Sequence, residues 1–514
     1  MLKGTSLYNP VRNPERALER RNLVLAQMAR HGRLDPARLD ELKARPLGLD
    51  FERQEGPGSE APHFTRYVRE WLTAWADRHG YDLYTSGLTI HTTLDPEIQR
   101  HAEAAARQRG EQLQAVAERE WAGGGRPFGA FWARHAGLER RLLRDTDAFR
   151  EATASGRPEQ AVIDSLRGNA AFADSIRARM TRLEVGFVAI EPRTGFVKAW
   201  VGSREFNRTP YDHVWQARRQ PGSTFKPFVY AAALRRGFLP GDTFVDEQVD
   251  IPVDRNRVWR PANAGGAYTG QPMTLTEGLA YSKNTVTAQL MMEVGPSYVA
   301  QLARDSGIRE SRLEANPALA LGTSEVTLLE MTTAYATLAA GGTYRPPVPV
   351  SRVEDAHGRV VAEFASAGER AIPQEVAQTI VHMMRGVIDR GTGRRIRAEF
   401  GVTKDVAGKT GTSQNGADGW FLMMHPDLVA GAWVGFPEPT VTFRTSQWGQ
   451  GSRNALLVVG DFFRGAQGRL SDARFETPAR YQEPESIWAR ARSWWDTRFA
   501  EYEPAGDLPE VDDD

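Results

Sequence analysis

Apolar residues recur at helical spacing through most of the first 180 positions. The run RNPERALERRNLVLAQMARHG predicts a helix opened by Asn13 and Pro14 and closed at Gly32. Asp35 opens a second, short helix that continues to about Lys43. Residues 46–62 are rich in Gly, Pro and Glu and read as a linker. APHFTRYVREWLTAWADRHG is amphipathic again, LTIHTTLD (88–95) alternates as a strand does, and Asp95-Pro96 starts a helix to about Gln114. Residues 115–182 are Arg- and Ala-rich and mostly helical, with a loop at 123–125.

The pattern changes at Leu183. EVGFVAIEP and TGFVKAWVGS are β-rich runs joined by a hairpin signal at 192–195. A helix follows Pro221, and a broken helical region runs from about Thr274 to Leu338. Strand-like runs return at YRPPVPVSRVED, GRVVAEF, DGWFLMMH and LVAGAWVGF, before a helix from Asn454. Strands, then helices, then strands predict an α/β (α+β) unit with a mainly antiparallel sheet and an inserted helical region. Beyond about residue 466, Ile487, Trp488, Ala491, Trp495 and Phe499 form a helical stripe, read as packing on the chain's own domain rather than on a membrane.

Composition narrows the classes. The 514 residues carry 65 basic and 65 acidic side chains, so net charge draws the whole chain neither to nucleic acid nor to an anionic membrane. There is no cysteine, which excludes disulfides, thiolate nucleophiles and Cys-based zinc sites. No apolar run reaches the length of a membrane span, and the first residues lack the apolar core of a signal peptide, so the sequence as written is expected to stay in the cytoplasm. The ten histidines show no H-E-x-x-H and no tight cluster. Only seven of the 65 cations are lysine. A guanidinium keeps its proton and an amine can shed it, so in an Arg-rich chain the lysines are where proton transfer is sought first.

Three of those lysines lie in short motifs. In Pro221-Gly222-Ser223-Thr224-Phe225-Lys226-Pro227, Ser223 is the only serine with lysine three positions on. Positions i and i+3 share a helix face, so hydroxyl and amine are expected to meet. Pro227 belongs in a first helical turn, which puts Ser223 at or next to the N-terminus, where backbone N–H groups favour negative charge. A serine is a weak nucleophile until a base takes its proton, and a buried lysine with a lowered pKa can do so. In Tyr281-Ser282-Lys283-Asn284, a second hydroxyl can relay a proton, and the Asn amide can bond a substrate amide and the lysine. In Gly408-Lys409-Thr410-Gly411-Thr412, read as a strand edge, Lys409 and the two Thr hydroxyls can hold a carboxylate. Gly411 is expected to make room for a substrate backbone. The backbone N–H groups of Thr412 and Ser223 can form an oxyanion hole.

S-x-x-K, S-x-N and K-T-G in this order are the motif set of penicillin-binding proteins and β-lactamases. The chain resembles a class A, bifunctional penicillin-binding protein. ARRQPGSTFKPFVYAAAL, LALGTSEVTLLEMTTAYATLAAGG, AGKTGTSQNGADGWF, WVGF and IHTTLDPEIQ all look like that family. LKGTSLYNPVRNPERALERRNLVLAQM resembles the end of the family's glycosyltransferase domain, and no E-D-x-x-F-x-x-H-x-G segment is present. The resemblance implies four parts: a glycosyltransferase remnant (1–45), a linker region (46–182), a transpeptidase domain (183–465) and a tail (466–514). Glycosyltransferase activity is expected to be absent.

The resemblance further implies a two-step acyl transfer on peptidoglycan. Ser223 attacks the carbonyl of a terminal D-Ala-D-Ala bond and Lys226 takes its proton. Ser282 helps pass a proton to the departing D-Ala, and Lys409 tunes the local charge. Asn284 orients the donor, and Thr410, Gly411 and Thr412 line the carboxylate end. An amine of a neighbouring stem peptide resolves the acyl-enzyme, and β-lactams trap Ser223. No metal, organic cofactor or nucleic-acid partner is implied, and the full-length family sits at the inner membrane facing the periplasm.

Two other functions share these motifs. One is hydrolysis, by a β-lactamase or DD-carboxypeptidase, for which Glu314 is the only vague analogue of a deacylating glutamate. The other is a β-lactam sensor that binds without turnover. Trp420 and Phe421, after the K-T-G run, read as core. Gly391-Thr392-Gly393 reads as a flexible turn near the active site and not as a phosphate loop.

Overall fold

The run EVGFVAI shows no clean alternation of apolar and polar positions because both of its faces are covered; all seven of its residues are buried. The structure, a computed structural model, describes residues 8, 10, 13–49, 59–83, 85–254 and 257–479. The aromatic stripe of the tail lies outside the described residues. The chain divides between residues 59 and 60 into two units. In the first, helices Pro14–Arg30 and Leu39–Ala44 lie where the periodicity put them. Asp35 accepts a hydrogen bond from the Ala37 N–H at 3.0 Å, and Arg21 ties the pair together through the Lys43 carbonyl at 2.9 Å.

The second unit begins with helix α1 (Pro62–His79), strand β1 (Thr89–Thr92) and helix α2 (Pro96–Glu120). Asp95 caps α2 by accepting from the Glu97 and Ile98 N–H groups. Short helices between Gly129 and Met180 close on a small core of their own, built on Leu143, Phe149, Val162, Ile163 and Ile176. Strands β2 (Glu184–Ile190) and β3 (Val197–Val201) follow. The helical region holds α3 (Lys226–Arg235), α4 (Leu275–Ala280), α5 (Asn284–Val294) and α6 (Leu328–Ala339). The chain then runs through β4 (Val350–Glu354), β5 (Val360–Glu363) and helix α7 (Gln374–Asp389). It ends on β6 (Ala407–Thr412), β7 (Asp418–His425), β8 (Leu428–Gly435) and helix α8 (Ala455–Ala466).

The main sheet has the order β6-β7-β8-β2-β3, antiparallel throughout, with β6 on one edge. Its side chains sort by parity. Phe187, Ala189, Phe421, Met423 and Ala432 join one core with residues of α2 and α8. Val188, Ile190, Leu422, Met424 and Trp433 join the other with α1, α3, α6 and α7. Trp420 and Phe421 are core residues, as expected.

Helices α1 and α2, which the sequence reading left in a linker region, belong to these two cores. Tyr67 of α1 stacks on Trp200 of β3 at 4.6 Å, and Ala102, Ala106 and Leu113 of α2 are fully buried against the sheet. An amphipathic helix of this length needs a partner for its apolar face, and the open side of the sheet supplies one.

Phe187 has no exposed surface, and its ring lies 4.7 Å from that of Phe462. Phe187→Ala is expected to lower the unfolding free energy by about 3–5 kcal/mol. Chemical denaturation followed by tryptophan fluorescence checks this, and a loss under about 1 kcal/mol contradicts the two-layer packing.

Candidate active site

Ser223 sits in a one-turn 3-10 helix, Gly222–Phe225, that runs directly into α3 with Pro227 in the first α-helical turn. The placement at a helix start is the one the proline predicted. Two contacts hold the turn: Tyr335, buried in α6, donates to the Thr224 carbonyl at 2.7 Å, and the Thr224 hydroxyl donates to the Pro221 carbonyl at 2.7 Å.

The edge strand β6 passes directly beside this turn. A Cβ on Gly222, whose φ is +56°, would lie 2.3 Å from the Thr412 carbonyl oxygen and 2.9 Å from the Thr412 nitrogen. A Cβ on Gly411 would lie 2.4 Å from the Pro221 carbonyl oxygen. Gly411 is therefore required because the chain's own Ser223 turn lies against it.

Lys226 points away from solvent and has no exposed surface. Its amine donates to the Ser282 carbonyl at 2.7 Å, to Asn284 Oδ1 at 2.6 Å and, more weakly, to Ser282 Oγ at 3.4 Å. Lys409, equally buried, donates to Ser282 Oγ at 2.8 Å and to the Thr410 carbonyl at 3.1 Å. Burial, reinforced by the neighbouring Lys409, holds the Lys226 amine well below the usual lysine range. Burial pushes Lys409 down to about 7.

The three motifs thus converge on Ser282, but not with every contact the spacing suggested. Among the described residues the Ser223 hydroxyl makes no hydrogen bond, to Lys226 or to anything else. Positions 223 and 226 do share a face, yet the amine is drawn to a carbonyl and an amide oxygen brought from the second motif.

The K-T-G threonines are also engaged. Thr410 Oγ1 lies 2.7 Å from Thr392 Oγ1, which brings the Gly391–Gly393 turn to the site, and Thr412 Oγ1 accepts from the Gly451 N–H at 3.0 Å. A hydroxyl accepts as well as donates, so Thr412 keeps its proton available. Ser282 has φ +58°, one of three non-glycine residues with positive φ among the described residues. Such a conformation costs about 1–2 kcal/mol and persists only where surrounding contacts fix it. Here the two lysine amines do so.

Sequence reasoning missed Asp246. Its side chain is fully buried and accepts from Lys283 Nζ at 2.7 Å, Thr285 Oγ1 at 2.7 Å, Asn263 Nδ2 at 2.6 Å, and the Thr269 N–H and hydroxyl, each at 3.0 Å. Asn263 in turn accepts from the Asn284 N–H at 2.8 Å, and Asn284 Nδ2 donates to the Ala262 carbonyl at 2.6 Å. Asp246 therefore anchors the whole Ser282–Asn284 segment from beneath. Burial works to raise its pKa, and the bonds from Lys283, Thr285 and Asn263 outweigh it and hold the carboxyl below its ordinary range. Its partners are scattered between residues 263 and 285, so no spacing marks it. Among the described residues no group of three His, Asp or Glu is placed to hold a metal ion.

Asp246→Ala leaves four donor residues without their acceptor and is expected to cost about 3–5 kcal/mol. Asp246→Asn keeps part of the network and should cost less. A carboxyl with a lowered folded pKa stabilises above its unfolded value and loses that contribution as pH falls. The gap in melting temperature between wild type and Asp246→Asn should then be full above about pH 4 and shrink below it. A gap that is constant from pH 7 to pH 3 contradicts the assignment.

Residues 185–427 match the family model described as the penicillin binding protein transpeptidase domain. The chain is 30% identical over 484 residues to penicillin-binding protein 2D of Bacillus subtilis, an alignment covering 93% of this chain and 59% of that protein. It is 29% identical over 531 residues to penicillin-binding protein 1A of Neisseria gonorrhoeae, covering 91% of this chain and 64% of the other. The chain thus spans less than two thirds of the length of these relatives.

In fold it is similar to penicillin-binding protein 1A from Haemophilus influenzae, with a TM-score of 0.65 and 21% identity over 92% of this chain and 80% of that one. It is also similar to PonA1 from Mycobacterium tuberculosis, in a structure with penicillin V. There the TM-score is 0.58 and the identity 24%, over 82% of this chain and 97% of that one. Among the described residues no helix is long and apolar enough to cross a membrane. Residues 185–427 thus match a penicillin-binding transpeptidase domain, and over nine tenths of its length the chain is similar to penicillin-binding proteins.

Proposed function

We propose that the chain is a serine D-Ala-D-Ala transpeptidase that cross-links peptidoglycan stem peptides, working on the periplasmic side where that polymer lies. One observation carries the reading: two buried lysine amines converge on the Ser282 hydroxyl, at 3.4 Å and 2.8 Å, beside the Ser223 turn. We read residues 183–465 as the catalytic domain.

Lys226, its pKa lowered by burial and by Lys409, takes the proton of Ser223 as its oxygen attacks the carbonyl of the terminal D-Ala-D-Ala bond. The N–H groups of Ser223 and Thr412 receive the developing oxyanion, a reading supported by how closely the β6 edge lies against the Ser223 turn. Lys226 returns the proton through Ser282 to the departing amine. Asn284 has its Oδ1 on Lys226 and one of its two Nδ2 protons on the Ala262 carbonyl, so the other is free to orient the donor peptide. Thr410 and Thr412 hold the terminal carboxylate, with Lys409 supplying positive charge behind them. A β-lactam follows the first step and stays on the serine.

Hydrolysis by the glutamate route, the one for which Glu314 is a candidate, needs a carboxylate that activates water. Glu314 is exposed, Asp246 is fully engaged, and among the described residues no carboxylate bonds to Ser223, Lys226, Ser282 or Lys409. Among the described residues no carboxylate bonded to these side chains is available for that role, which favours a long-lived acyl-enzyme.

Fluorescent penicillin is expected to label the protein, with an adduct that persists for hours and is missing in Ser223→Ala. Rapid release with hydrolysed drug would mean a β-lactamase, and no adduct on folded protein would mean that Ser223 is not the nucleophile. Lys226→Ala should slow labelling by about 10²–10⁴-fold. Because Lys409 titrates at about 7, the second-order labelling rate should fall as pH rises above that value. In Lys409→Arg, whose cation keeps its proton, that alkaline limb should be absent. A wild-type rate that stays level from pH 6 to 9 contradicts the role given to Lys409.

A further inference from the structure

A cavity of about 820 Å³ opens beside the K-T-G strand, and nothing in the chemistry above uses it. Its walls connect to the two threonines through hydrogen bonds. Thr392, on one wall, is bonded to Thr410, and Gly451, between the lining residues Gln450 and Ser452, is bonded to Thr412. Tyr281, next to Ser282, lines it as well.

Its charge is one-sided. Five arginines line it against two acids. Both acids are already paired: Glu399 with Arg395 through two 2.6 Å bonds, and Asp389 with Arg397 at 3.1 Å. Among the described residues Arg394 and Arg453, both exposed, make no side-chain hydrogen bond or ion pair. Arg453 does feel Glu399, but that carboxylate is held by Arg395. Two guanidiniums that cannot neutralise themselves therefore face a cavity at the carboxylate end of the active site.

In acyl transfer the incoming amine attacks from the side where the leaving amine departed, because the two steps are reverses of one another at the carbonyl. An acceptor whose amine carbon also bears a carboxylate then places that group where the carboxylate of D-Ala lay, at Thr410 and Thr412. Whatever the acceptor carries beyond that point enters the arginine-lined cavity. We propose that this cavity binds the acyl acceptor through a second carboxylate, additional to the one beside the attacking amine. The inference rests on the transpeptidase reading. In the step it serves, the acceptor nitrogen forms the C–N bond to the acyl carbon and the C–O bond to Ser223 breaks. The proton lost by nitrogen goes to the Ser223 oxygen.

The test offers a donor peptide ending in D-Ala-D-Ala together with D-glutamate or D-glutamine as acceptor. These isosteres differ only in the second carboxylate, and transfer products are counted by mass spectrometry. D-Glutamate should be the better acceptor by roughly fivefold at low salt, a size set by two partly exposed charge contacts. The advantage should largely vanish at 0.5 M salt, where screening reaches only a few ångströms. It should also vanish in the double variant Arg394→Gln/Arg453→Gln, and penicillin labelling of that variant reports whether its serine turn is intact.

Equal use of the two acceptors by wild type overturns the inference, as does a preference that survives both high salt and the double substitution. If wild type neither releases D-Ala from the donor nor labels with penicillin, the transpeptidase reading has fallen and takes the inference with it. If it does both and the acceptor ratio is near one, only the acceptor site is wrong.

Discussion

Two fully buried lysines reach the same serine hydroxyl, and most of the site follows from what that arrangement allows. Two ammonium groups cannot both stay charged at such close quarters in a dry interior, because each raises the cost of the other. One must give up its proton. Lys226 feels both burial and its neighbour, whereas burial alone lowers Lys409, so of the two Lys226 is under the stronger pressure to release its proton. A base is thereby generated inside a cationic site, with no histidine or carboxylate. The pair titrates as a unit, and a ligand carboxylate that stabilises one charge changes the proton affinity of the other.

That pairing is only as good as the scaffold that enforces it. The sheet edge and the serine turn must touch backbone to backbone, which is why glycine stands at 222 and 411. Ser282 must sit in a left-handed conformation, a strain met by the hydrogen bonds from both amines. The loop that carries it must not move, and Asp246 holds it through Lys283, Thr285 and Asn263. Each of these is a local cost set against the large two-faced core of the sheet, the usual relation between a strained site and a rigid support.

The sequence made some of this legible and hid the rest for physical reasons. Ser223, Lys226, Ser282, Asn284 and Lys409 were picked out because the motifs that hold them depend on short spacings that survive in one dimension. The strands of the sheet were found because apolar runs broken by turn residues have few other interpretations. Helices α1 and α2 were recognised as helices, but periodicity says only that a helix has an apolar face, and not which surface receives it. Gly411 was flagged as a position needing a small residue, yet the neighbour that demands it, the Pro221 carbonyl, is far away in the chain. Asp246 left no trace, because a buried carboxylate is defined by its partners, and these come from four separate points along the sequence. The Lys226 amine shows the same limit: its reach was read correctly and its partners were not.

The distribution of cations closes the argument. This chain uses arginine almost everywhere, so lysine at a given position is a choice against the background. Lys226 and Lys409 occupy fully buried positions where an amine can release its proton and a guanidinium would stay charged. Lys283 shows that the choice is not only about titration: its compact head donates to a fully buried carboxylate at 2.7 Å, in a network already crowded by three other residues. Arginine takes over at the cavity beside Thr392, where a persistent charge and a forked donor suit a carboxylate that arrives and departs. On the proposed reading, protons are handled by amines in the dry interior and anions by guanidiniums at its mouth. That division would separate the two demands of the proposed acyl transfer: activating a nucleophile, and selecting the amine that resolves the ester.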